Sequence, residues 1–243
     1  GVEVENIAYL AKASKLVIGE VVECVNHPES DHLHILKVNI GDEVTQIVCG
    51  APNARKGLKV IVALPGCKLP AKGIDIKKGV IRGQESNGMC CSLVELGVDE
   101  KYLKQEQIDG IEELPLNAPV GETNVLKYLG LDDVIFELKP TPNRGDVLSL
   151  LSYAYELGAV LDREVKFDYN VELPTLSKSS YTVSSDTEKC PNFSIRGVKG
   201  IKVGESPKWL KDALHGSGIR SINNVVDIGN YVMILTGQPI HMY

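Results

Sequence analysis

From Lys15 to Ile81 the chain is a succession of short β-branched runs separated by turn residues, and this most limits what it can fold into. Leu16-Val-Ile18, Val21-Val22, Ile35-Leu-Lys-Val38, Thr45-Gln-Ile-Val48, Lys59-Val-Ile-Val62 and Gly79-Val-Ile81 are the runs. Asn-His-Pro, Ile-Gly-Asp and Pro-Gly punctuate them. Five or six short strands, with a turn every ten residues or so, predict a small barrel or sandwich.

A second pattern lies on the first. Between residues 51 and 82 stand Arg55, Lys56, Lys59, Lys68, Lys72, Lys77, Lys78 and Arg82, opposed by Asp75 alone. The chain as a whole has a formal net charge of −6. A basic segment inside an acidic chain points to one local face for phosphates and excludes general coating of nucleic acid. The same region contains no Phe, Tyr or Trp from residue 15 to 98, so stacking platforms are missing there.

With 243 residues the chain has room for two domains and the start of a third. No apolar run reaches the roughly 20 residues of a membrane span, and no signal peptide is visible, so a soluble, cytoplasmic protein is expected. Cys24, Cys49, Cys67, Cys90, Cys91 and Cys190 form no metal-ligand spacing and are read as reduced small hydrophobes. His27, His32 and His34 fit no standard zinc pattern either; their segment is expected to be a surface loop, and no metal is expected.

Residues 1–14 show no clear element, and the stretch from Asp99 to Asp132 reads as a loop-rich exit from the barrel. Val134–Lys139 reads as a strand and Pro140–Asp146 as a rigid turn, with Arg144 paired to Asp146 or Glu137 rather than holding an anion. A helix should follow from Val147 to Leu161, capped at Asp146. A domain junction is expected within the polar residues 166–187. Beyond it, Asn192–Val198 is strand-like, Ser206 should cap a helix stopped by Gly216, and Asn224 should open another ended by Gly237. Asn223, Asp227 and Asn230 share one face of that last helix, where they either line a polar cavity or cap and solvate it.

Ile47-Val-Cys-Gly-Ala-Pro-Asn53 and Ser86-Asn-Gly-Met89 resemble the tRNA-binding domain of several tRNA-interacting proteins, an oligonucleotide-binding (OB) barrel. Followed by Pro140-Thr-Pro-Asn-Arg-Gly-Asp146, Val225-Val-Asp-Ile-Gly-Asn-Tyr-Val232 and Gly237-Gln-Pro-Ile-His241, they resemble the N-terminal part of the bacterial phenylalanyl-tRNA synthetase β-subunit family. The resemblance implies an α+β multidomain chain. An OB barrel over 15–125 would be inserted in a small α/β domain of residues 1–14 plus 126–170, with an α/β editing domain starting over 190–243. It implies RNA contact by Asn53, Lys68, Lys72, Lys77, Lys78, Arg82, Ser86 and Met89, although Met89 also suits a core position. It implies that Asn230 and His241 contribute to a pocket that clears mischarged tyrosyl-tRNA. No cofactor is expected on this stretch itself; ATP and magnesium would serve the whole enzyme, an α2β2 assembly whose α subunit carries aminoacylation. The alternative is a free-standing tRNA-binding protein without catalysis.

Overall fold

The protein is described by a computed structural model covering residues 1–167, 175 and 177–243. The junction expected over 166–187 therefore lies partly outside the described residues. The chain divides into two compact units, Gly1–Arg144 with Lys208–Ser221, and Gly145–Pro207 with Ile222–Tyr243.

The first unit opens with β1 (Val2–Tyr9), where no element was expected. Then come β2 (Leu16–Asn26), β3 (His34–Asn39), β4 (Val44–Cys49) and β5 (Lys59–Ala63). Short hairpin strands follow: β6 (Lys68–Leu69), β7 (Ile74–Asp75), β8 (Gly79–Ile81) and β9 (Gln84–Ser86), and then β10 (Met89–Cys91). Helices α1 (Gln105–Asp109) and α2 (Val125–Leu129) precede β11 (Val134–Pro140).

Five strands pair antiparallel in the order β10-β5-β2-β3-β4 and curl into a half-barrel. The curl brings the two ends of that order together at a seam. There Asn87 N donates to Gln46 O at 2.8 Å and Gln46 Nε2 donates to Glu85 O at 3.0 Å. Closing a sheet on itself hides its edge strands.

Alternation along the central strands explains why their runs are apolar throughout rather than at every second residue. Val17, Val60, Val62 and Cys90 point into the concave core with Leu36, Val38 and Ile47. Leu16, Ile18, Ile61, Ala63 and Cys91 point to the other face. That face is covered by Leu103, Leu114, Ala118, Val125 and Leu131 from the segment read as a loop-rich exit. The segment is loop-rich, but it is a lid on the sheet: Gly121 N donates to Ile18 O at 2.8 Å and Leu114 N to Lys59 O at 2.9 Å. Each large side chain buried this way contributes about 1.5–3 kcal/mol.

β1 pairs with β11 as a separate two-stranded sheet. A bulge between Val4 and Asn6 shifts the phase, so Val2/Pro140, Val4/Leu138, Ile7/Phe136 and Tyr9/Val134 are cross-strand pairs on one apolar face.

In the second unit, α3 (Leu150–Leu161) begins later than expected, after a 3-10 turn at Gly145–Val147. Its cap is Ser149, whose hydroxyl accepts from Ser152 N at 3.1 Å, rather than Asp146. Asn192–Val198 forms no strand: no described segment pairs with it, and an extended chain has no hydrogen bonds of its own to hold it. Helix α4 (Lys208–Gly216) belongs to the first unit and ends at Gly216 as expected. Ser206 does not cap it; its hydroxyl donates to Asp227 instead. Helix α5 (Asn224–Thr236) in the second unit runs between the expected limits, with Gly237 in the left-handed conformation (φ +77°) at its end.

Candidate nucleic-acid interface

The half-barrel presents the basic segment as an arm. Lys68 leads into a 3-10 turn at Pro70–Lys72, Lys77 and Lys78 link the two hairpins, and Arg82-Gly83 forms the tip of β8–β9. Both tip residues have positive φ (+46° and +77°), the twist that a two-residue hairpin turn requires. Lys68, Lys72, Lys77 and Lys78 are exposed, and none has an ion-pair or hydrogen-bond partner among the described residues. Their charge is therefore available to a phosphate.

Lys56 is exposed as well, whereas Arg55, Lys59 and Arg82 are engaged within the protein. Lys59 pairs with Glu20 at 2.6 Å. Arg55 grips Glu113 with two bonds of 2.7 Å, and the guanidinium holds the Glu113 carboxyl below its ordinary value. Arg82 donates to Glu29 O at 2.8 Å.

That last bond is half of a latch. His27 was expected on a surface loop but is 3% exposed. Its Nδ1 accepts from Glu29 N at 3.0 Å and its Nε2 lies 3.3 Å from Ile81 O. An acceptor at Nδ1 leaves the proton on Nε2, which therefore donates to the hairpin carbonyl. The histidine and the arginine together tie the β8–β9 hairpin to the β2–β3 loop, so His27 is engaged as a structural hydrogen-bonding group.

Asn53 is likewise engaged internally. Its Nδ2 donates to Ile111 O (2.9 Å) and Glu113 Oε1 (3.0 Å), while its Oδ1 accepts from Ile111 N (3.0 Å). A Cβ on Gly110 would lie 2.6 Å from Asn53 Oδ1, so a glycine permits this approach. Ser86 is buried; its hydroxyl accepts from Val48 N at 3.1 Å and donates to Gly88 O at 3.2 Å, bridging the seam. Gly88 has φ +152°, and a Cβ there would sit 2.9 Å from Ala63 O. Met89 is half-buried against the core. The Ser-Asn-Gly-Met stretch thus shapes the seam where the barrel closes.

Beside that seam runs a groove of about 580 Å³ whose walls include Ser86, Met89, Asp75, Lys77, Glu95 and Asp109. Three carboxylates against one lysine make it a poor place for phosphate; the exposed, unpaired lysines lie on the arm at and beyond its rim.

In the second unit, Asn223 accepts from Val225 N and Val226 N (both 3.1 Å) as the cap of α5. Asp227 is fully buried and accepts from Ser206 Oγ at 2.5 Å and Ile222 N at 2.9 Å. Two of the three polar residues on that helix face therefore hold the fold. Asn230 is half-buried on the same helix, and His241 is exposed in the tail after Gly237. Met242 of that tail lies where a Cβ on Gly229 would be 3.1 Å from its Cε, so the tail folds back beside α5. No helix among the described residues is long and apolar enough to cross a membrane.

The family described as "Putative tRNA binding domain" matches residues 16–123, and that described as "B3/4 domain" matches residues 189–243. A curled five-stranded sheet carrying the first of these places the chain among proteins with a tRNA-binding domain. Across its full length it is 46% identical to the phenylalanine–tRNA ligase beta subunit of Streptococcus pneumoniae (strain ATCC BAA-255 / R6), covering 30% of that protein. It is 45% identical to that of Lactococcus lactis subsp. lactis (strain IL1403), covering 31%. The chain belongs to the phenylalanine–tRNA ligase beta-subunit family and spans about three tenths of the length of these curated relatives. Among solved structures, a MetRS related protein from Pyrococcus horikoshii overlaps 44% of this chain and 84% of its own, at 23% identity and a TM-score of 0.31.

Proposed function

We propose that this chain is the tRNA-facing stretch of a phenylalanine–tRNA ligase, working in the cytoplasm within an α2β2 enzyme. The observation that carries the reading is the identity of 46% running through the whole chain, barrel and terminal segment alike. A free-standing tRNA-binding protein would account for the barrel but not for the stretch past residue 134. In this reading residues 15–125 form the OB barrel, 1–14 with 126–170 the small domain around it, and 190–243 the start of the editing domain. ATP and magnesium serve aminoacylation on the partner α subunit.

The contact with tRNA is assigned to Lys68, Lys72, Lys77 and Lys78, with Arg82 adding its remaining donors at the hairpin tip. Asn53 and Ser86 serve the interface by holding the lid segment and the seam, and Met89 by packing beneath it.

Asn230 and His241 are assigned to the editing pocket. Phenylalanine and tyrosine differ by one hydroxyl, and a hydrophobic synthetic site rejects an added hydroxyl by only roughly 10²-fold. A second, polar site that binds the hydroxyl can hydrolyse the wrong ester, with His241 carrying or orienting a proton and Asn230 donating to the reacting ester. In the whole β subunit with its α partner, His241→Ala and Asn230→Ala should each slow tyrosyl-tRNA hydrolysis by roughly 5- to 150-fold, for a contact of about 1–3 kcal/mol. Phenylalanylation should stay near its parental rate. Parental clearance of tyrosyl-tRNA in both variants would remove the assignment, and an equal fall in phenylalanylation would make the residues structural.

A further inference from the structure

Four thiols are buried in the barrel, and the sheet sorts them by face. Cys67 and Cys91 lie in the core beneath the lid segment, while Cys49 and Cys90 lie in the concave core. Cys49 ends β4 and Cys90 is the middle residue of β10, the two strands that meet where the half-barrel curls shut. One residue before Cys49, Val48 N donates to Ser86 Oγ at 3.1 Å, a bond across the same seam. Both side chains belong to the same buried cluster, on strands that touch each other across the seam. Both also line the groove, whereas Cys67 and Cys91 do not. The pair is thus juxtaposed, held by two strands of a closed seam, and open to a small molecule through a groove of about 580 Å³.

We propose that Cys49 and Cys90 form a reversible dithiol–disulfide site on the groove wall, closed by a small peroxide. A thiolate is the reacting form, and the neighbouring Cys90 thiol favours it at Cys49. Glu95, on the same groove wall, opposes it. The Cys49 sulfur beside it and burial push the Cys90 thiol well above its ordinary value. Cys49 is therefore the attacking sulfur and Cys90 the resolving one. The Cys49 thiolate attacks one peroxide oxygen, the O–O bond breaks, and the departing hydroxide takes a proton to become water. The sulfenic acid left on Cys49 is then attacked by the Cys90 sulfur. The S–S bond forms, the S–O bond breaks, and the hydroxyl leaves as water with the proton from Cys90. Two thiols lose two electrons and one peroxide becomes two waters. The bond ties β4 to β10 and fixes the groove wall. Its effect on RNA rests on the function proposed above: a seam locked in this way should weaken tRNA binding.

The reduced whole chain is treated with hydrogen peroxide at neutral pH, alkylated, digested and mapped by mass spectrometry. The expected product joins the peptide of Cys49 to that of Cys90 and is released by dithiothreitol. Two of the six thiols are lost to titration in the denatured protein. Cys49→Ser and Cys90→Ser should each abolish the product, and Cys24→Ser with Cys190→Ser should leave it. Mapping on the unsubstituted chain decides the matter even if a serine variant fails to fold. A linkage to any other cysteine, or over-oxidation of Cys49 without a linkage, overturns the site. Binding of tRNA is measured on both forms. A reduced chain that binds no tRNA overturns the proposed function and leaves the mapped linkage standing. Equal binding by reduced and linked chains overturns the control of RNA binding alone.

Discussion

Asn53→Ala should lower the unfolding free energy of the first unit by about 2–6 kcal/mol, without altering the salt dependence of its RNA binding. Ile111 is 4% exposed, and both its N–H and its C=O are satisfied by the Asn53 amide. Removing that amide leaves two buried backbone groups without partners, at about 1–3 kcal/mol each. The Arg55–Glu113 pair beside it does not offset this, because both side chains are about half exposed and such a pair contributes about 0–1 kcal/mol. Asn53→Asp should also destabilise, since the donor to Ile111 O is lost and a second carboxylate faces Glu113. Urea unfolding followed by circular dichroism reads the loss. An unchanged midpoint with lost RNA affinity would return Asn53 to the RNA-contacting set.

Asp227→Ala should open the second unit by about 2–4 kcal/mol. Its carboxylate is fully buried and joins the Ser206 hydroxyl to the Ile222 N–H, two segments that flank α4 in sequence. Deleting one member of a buried charged network strands its partners, which costs more than an ordinary hydrogen bond. Asp227→Asn keeps an acceptor for Ile222 N and should recover much of the loss. Hydrogen exchange of the α5 amides reads the effect locally, so it is separate from the stability of the barrel. Unchanged protection of α5 in the alanine variant would show that this carboxylate does not hold the helix.

The sequence was most legible where strands are buried on both faces. Leu16-Val-Ile18 and Lys59-Val-Ile-Val62 are apolar at consecutive positions because each face meets a core, and β-branched runs of that kind read as strands without knowledge of their partners. β1 escaped notice for the opposite reason. Its apolar residues Val2, Val4, Ile7 and Tyr9 are spaced two, three and two apart, and only the bulge puts them on one face. Asn192–Val198 has a strand's composition but no described strand beside it, so composition alone misled. At the site, the run of lysines was visible as charge, whereas the duties of Asn53, Ser86 and His27 were not. Their partners lie 58, 38 and 54 residues away, and no local pattern announces a contact at that range. The same holds for the split of the cations into free and paired, since Glu113 and Glu20 stand outside the basic segment. The caps of α5 were legible because capping is local: Asn223 and Gly237 act within four residues of their own positions.

In the proposed function, unpaired lysines on the 68–82 arm carry the RNA affinity of the barrel. Titration of the chain with tRNA at a series of salt concentrations tests it most directly, comparing the parent with the Lys72→Ala, Lys77→Ala, Lys78→Ala triple variant. If each lysine neutralises one phosphate, the triple variant binds more weakly and its slope of log affinity against log salt falls by about 2–3. An unchanged slope with unchanged affinity would overturn this assignment and leave these lysines as a solvated surface.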